Sequence, residues 1–203
     1  SANIATDVLY YNVNNRGGSR VPPEAGLDHP LSKLGYTYLV TGWINEISAG
    51  PERLRLHSPI VKNAGAAITG NVRYEVTVGS PSFTENIAGS GHLAYTPTRE
   101  GLAGARLTKR LYQHDARELI SRDEFELQVT PQKDANQPLV ELMLKEGFEP
   151  GLIYELIYEA QDPVLSGAGM TAIRDLVSLI RFGGQSDTQL TQLALPSINH
   201  TAA

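Results

Sequence analysis

Gly151-Leu152-Ile153-Tyr154-Glu155-Leu156-Ile157-Tyr158-Glu159-Ala160-Gln161-Asp162-Pro163 runs into Gly169-Met170-Thr171-Ala172-Ile173-Arg174-Asp175-Leu176-Val177-Ser178-Leu179-Ile180-Arg181. The first half is rich in β-branched and aromatic residues, and it predicts a strand over 152–160. The second half predicts an amphipathic helix over 163–181. Asp162 is placed to cap it, and Pro163 stands at the first helical position, where a missing N–H does no harm. Leu165, Gly169, Ala172, Ile173, Leu176, Leu179 and Ile180 share its apolar face. Arg181 suits the negative end of the helix dipole, and Gly183-Gly184 ends the run. The pair reads as a strand delivered directly onto an amphipathic helix.

Upstream, Asp7–Asn14 is β-prone and leads into Asn15-Arg16-Gly17-Gly18, a turn with two glycines. Leu31–Gly35 reads as a short helical piece. Tyr36–Thr41 is a nearly continuous apolar and β-branched run, the pattern of a strand buried on both faces. From residue 44 the texture changes to alternation. Leu54 and Leu56 alternate with arginines, Val72, Tyr74, Val76 and Val78 with polar residues, and Phe125, Leu127 and Val129 with Glu and Gln. A period of two with one polar face marks antiparallel strands wetted on one side. Val140, Leu142 and Leu144 alternate again. They predict a hairpin with the strand at 152–160, with a short helix over 139–146 as the competing reading. The expected division is 1–43 as early sheet strands with a loop, 44–130 as a β-rich insertion, and 131–203 as hairpin plus helix.

The chain has 203 residues, no cysteine and a formal net charge of −5. Without cysteine there is no disulfide framework, thiolate nucleophile or cysteine-based zinc site. The negative balance argues against nucleic acid, and no apolar run reaches the length of a membrane span, so neither nucleic acid nor membrane is an expected partner. The compartment is left open, with a secreted or periplasmic setting favoured over the cytoplasm. The chain starts Ser-Ala-Asn and ends in Leu195–Ala203 with nothing to anchor it, which reads as a processed or partial chain.

Five histidines show no His-x-x-x-His or His-x-His pairing, so no metal or cofactor is expected. His114-Asp115 is no dyad, because neighbours on a strand point apart. Glu155 and Glu159 share one strand face about 13 Å apart, too far for joint acid–base work, and solvation or pairing with arginine is the expected role. Arg174 and Asp175 are expected to form an ion pair. Trp43, at the end of the run 36–41, is a candidate substrate-pocket wall, with core packing as the plainer alternative.

The string EGFEPGLIYELIYEAQDPVLSGAGMTAIRDLVSLIR resembles the stretch before the nucleophile in a bacterial family of large serine-hydrolase-like proteins with an α/β-hydrolase domain. The segments VLYYNVNNRG, LGYTYLVTGW and RLRLHSPIV with ITGNVRYEVTV are similar too, in the same order. The resemblance implies a partial α/β-hydrolase sheet with a β-rich antiparallel insertion. It also implies hydrolysis of an ester or related acyl substrate through an acyl-enzyme. Asn15, Arg16, Gly17 and Gly18 would then form the oxyanion-side loop, offering backbone N–H groups to the developing charge. No nucleophile elbow occurs: Ser186, in Gly-Gly-Gln-Ser-Asp, does not sit between a hydrophobic strand and a helix. Catalytic residues are therefore expected in the remainder of the hydrolase, a C-terminal part or second fragment, and this chain alone is expected to be inactive. The alternatives are a noncatalytic β-rich binding or assembly module and a secreted carbohydrate-active protein.

Overall fold

The computed structural model describes residues 8–13, 37–42, 44–48, 55–133, 135–182 and 200–202, with backbone alone for 8–13, 37–41, 180–181 and 200–202. These residues fall into two compact units. Glu46–Ala49 and Ser58–Leu165 make one, and the remaining described residues the other.

The larger unit is built on antiparallel pairing. Its strands are β3 (Lys62–Asn63), β4 (Ala66–Ala67), β5 (Thr69–Val76), β6 (Ser82–Asn86), β7 (Thr96–Pro97), β8 (Arg106–Arg110), β9 (Glu118–Ile120), β10 (Phe125–Thr130), β11 (Leu139–Phe148) and β12 (Ile153–Gln161). One sheet has the order β5-β12-β8-β9, with β7 also on β12, and a second has the order β10-β11-β6. The inward residues interlock in one core: Val76, Leu107, Tyr154, Leu156 and Tyr158 from the first sheet, Phe125, Val140, Leu142 and Phe148 from the second. Tyr154 and Phe148 meet edge to face with ring centroids 4.9 Å apart. Fully burying side chains of this size contributes about 1.5–3 kcal/mol each.

β12 is the organising strand, and alternation explains it. Tyr154, Leu156, Tyr158 and Ala160 are buried on the core side. Glu155, Ile157 and Glu159 take the other face. On one side β12 pairs with β5 from Tyr154↔Val76 to Gln161↔Thr69. On the other it pairs with β8 at Ile153–Ile157 and with β7 at Ala160 and Gln161. Helix α1 (Arg99–Ala103) fills the gap between those two partners. Thr98 continues the ladder, its N–H donating to Glu159 O at 2.9 Å. Its Oγ1 caps the helix by accepting from Gly101 N at 2.8 Å and donates to Glu159 Oε1 at 2.9 Å.

The smaller unit holds β1 (Val8–Val13), β2 (Thr37–Thr41), helix α2 (Gly169–Phe182) and β13 (His200–Ala202). β1 lies between β13 and β2 and pairs with both in parallel. Among the described residues no helix is long and apolar enough to cross a membrane.

Four sequence expectations are corrected. The fold class is not α/β: thirteen strands stand against two α-helices among the described residues, and the sheets outside β13-β1-β2 are antiparallel. The decisive strand β12 belongs to an antiparallel sheet and not to a parallel hydrolase sheet. β11 is a strand, as the alternation of Val140, Leu142 and Leu144 demands, but it does not form a hairpin with β12. The turn at Pro150-Gly151 carries the chain from one sheet to the other, and β11 pairs with β10 and β6. The terminal helix begins at Gly169 and not at Pro163. Asp162 has φ 54°, a left-handed residue and not a cap, and Gly167 at φ 77° holds the chain out of helix for another turn. Pro163–Leu165 is extended: Val61 N donates to Pro163 O and Leu165 N to Pro59 O.

Candidate functional site

A charged cluster of the larger unit surrounds Glu155, whose register on β12 puts it beside Glu75 of β5 and Thr108 of β8. Its side chain is 3% exposed. Arg117 grips it twice, Nε to Oε1 at 2.7 Å and Nη2 to Oε2 at 3.1 Å. Arg73 Nη1 and Arg110 Nη2 both donate to Oε2 at 3.4 Å. Arg110 is itself buried, and it also reaches Glu75 Oε2 at 3.6 Å and Gln113 O at 2.6 Å. The Arg117 hydrogen bonds, working against burial, hold the Glu155 carboxyl below its ordinary range, with the charges of Arg117, Arg73 and Arg110 adding to the effect.

A carboxylate so saturated with donors is a poor proton acceptor and has little capacity left for a ligand. The arrangement ties β5, β8 and the segment after β8 to β12. Glu159 is engaged separately by Thr98. The two carboxylates therefore form no acid–base pair. One of the two roles expected of them, pairing with arginine, is what Glu155 does.

A cleft of about 390 Å³ opens beside β5. Segment 46–48 runs antiparallel to 91–93, with Leu93 N donating to Glu46 O at 3.0 Å and Ser48 N to Gly91 O at 2.9 Å. This pairing sets Glu46 and His92 on the cleft wall, facing Arg73 and Glu75 from β5. The half-buried Tyr74 and the buried Tyr158 brace it: Tyr74 Oη accepts from Tyr95 N at 2.9 Å, and Tyr158 Oη donates to Tyr95 O at 2.7 Å. The Tyr74 and Tyr158 rings stack 5.9 Å apart, and burial pushes both phenols above their ordinary range. Gln137 completes the wall. It is 3% exposed, and its Nε2 is buried with no hydrogen-bond partner. Sequence reasoning passed over this cleft because Glu46, His92 and Gln137 are far apart in the chain and belong to no motif.

Asn15, Arg16, Gly17, Gly18 and Trp43, the residues singled out from sequence, lie outside the described residues. Their positions flank β1 and β2: β1 ends at Val13 and β2 at Thr41. His114 and Asp115 approach only to 3.7 Å, with His114 86% exposed. Arg174 and Asp175 do pair on the exposed face of α2, at 2.7 Å. Among the described residues no three His, Cys, Asp or Glu side chains are grouped to hold a metal ion. No protein-family model, curated protein or solved structure matches the chain.

Proposed function

We propose that the chain is a noncatalytic portion of a serine-type hydrolase acting on an ester or related acyl substrate, with its reactive serine on polypeptide outside these 203 residues. One structural observation carries this reading: the parallel pairing of β1 with β2, in register from Leu9↔Thr37 to Val13↔Thr41. Parallel strands place their C-terminal ends on one edge, where open sheets put ligand-binding loops. In sequence Asn15–Gly18 comes soon after β1, and the resemblance assigns it the backbone N–H groups that an acyl hydrolase needs for its oxyanion. Of the stretch that resembles the segment before a hydrolase nucleophile, helix α2 supports the same reading, since it falls in the unit of β1 and β2, and strand β12 does not. The β-rich unit would then be an accessory body.

Intact-mass labelling with a serine-directed phosphonate tests it. The isolated chain stays unlabelled and turns over no p-nitrophenyl ester, while a longer native polypeptide containing it is labelled beyond residue 203. A label on any serine within the chain, or an unreactive longer polypeptide, overturns the proposal.

A second reading, a noncatalytic binding or assembly module, is favoured by the larger unit. It has its own core and its own cleft.

A further inference from the structure

We infer that the cleft beside β5 is a binding site for a small neutral saccharide, independent of the hydrolase reading. Its volume of about 390 Å³ lies in the range of sites that enclose small ligands. The chemistry of its wall selects among ligand classes. An anion would meet the carboxylates of Glu46 and Glu75, while Arg73 already leans on Glu155 at 3.4 Å and Glu75 at 3.7 Å. A metal ion lacks a group of three ligating side chains among the described residues. An apolar ligand would strand carboxylates, guanidinium, imidazole and amide without water.

A sugar hydroxyl donates and accepts at once, so one molecule can serve Glu46, Glu75, Arg73 and His92 together. Tyr95, half-buried, is among the residues that line the cleft.

Gln137 is the second observation. A buried amide N–H without a partner is unfavourable, and folded chains seldom retain one. An acceptor hydroxyl lodged in the cleft would relieve it, through a small turn of the side-chain amide. Gln137 thus joins two properties, an unpartnered buried amide and a place in the cleft lining.

Calorimetric titration of the full chain with glucose, galactose, maltose and cellobiose tests the site, with sodium acetate and calcium chloride as the anion and cation arms. Saturable binding of at least one sugar is expected, and none of acetate or calcium. Glu46→Gln and Gln137→Met each weaken the sugar about tenfold or more, as expected where a polar site loses a hydrogen-bonding group. Gln137→Met keeps or raises the unliganded melting temperature, because it removes the unpaired donor. Absence of sugar binding, saturable acetate or calcium binding in its place, or unchanged sugar affinity in both variants overturns the inference.

Discussion

Gly101 of α1 lies against the backbone of Glu159 in β12, so close that a β-carbon at 101 would be driven into the Glu159 carbonyl oxygen, with Glu159 C and N within about 3 Å. The obstacle is backbone at the centre of a sheet, and no side-chain rotation relieves it. Gly101→Ala is therefore expected to destabilise the larger unit by about 3 kcal/mol, the upper end for overpacking in a core. Gly104→Ala, whose new methyl would sit 3.2 Å from Glu100 O at the helix end, is the control. It should shift stability by less than about 1 kcal/mol. Urea midpoints of the two variants check this; equal midpoints would mean that α1 does not seat on β12.

Glu155 is the acceptor that three arginines share, and its removal leaves Arg110 buried with its charge uncompensated on that side. Glu155→Gln is expected to lose about 3 kcal/mol, the lower end for breaking a buried pair, since Arg73 and Arg117 remain open to water. The carboxyl's pKa is lowered on folding, so the unfolded state takes up its proton first as pH falls. The stabilisation is whole above the ordinary carboxyl value of about 4.3 and fades as pH drops from there through the depressed folded value. Melting temperatures from pH 7 to pH 3 should fall more steeply for the wild type than for Glu155→Gln. Parallel slopes would contradict the assignment.

The same cluster marks what the sequence made legible. Alternation in Tyr154–Ala160 and in Val140–Leu144 was readable as strand, because a two-residue period reflects local side-chain geometry. The partners were not. Glu155 meets arginines 82, 45 and 38 positions away, and such separations leave no periodic trace. The terminal helix was overextended because Asp162-Pro163 is a strong start signal by composition. Tertiary pairing of Pro163 and Leu165 with Pro59 and Val61 outweighed it. The cleft was invisible for a related reason: β5 and segments far from it in the chain converge to supply its wall.

The paired hydroxyls of Tyr74 and Tyr158 fix the backbone of Tyr95, one by accepting from its N–H and one by donating to its carbonyl. Tyr158→Phe or Tyr74→Phe leaves a half-buried backbone group without its partner, at about 1 kcal/mol each. Both phenols are raised on folding, chiefly by burial. Their stabilisation is whole below pH 10, the unfolded value, and is lost as pH rises through the folded values. Stability measured from pH 8 to pH 11 should decline less in the double Phe variant than in the wild type. Identical curves would place the ionisation elsewhere.

Asp162 offers a direct choice between the helix cap read from sequence and the left-handed turn residue of the structure. With φ at 54° it occupies a region that side chains with a β-carbon enter at roughly 1–2 kcal/mol, Asp and Asn more easily than most. Asp162→Ser separates the two roles, since serine is as good a helix cap as aspartate but has no ease in the left-handed region. The turn geometry predicts a loss of about 1 kcal/mol for Asp162→Ser and no loss, or a gain, for Asp162→Gly, where the backbone is free to adopt positive φ. A cap would give the opposite order, with Ser neutral and Gly weaker by a few tenths. Denaturant titration of the two variants side by side decides it, and the sign of the difference is enough.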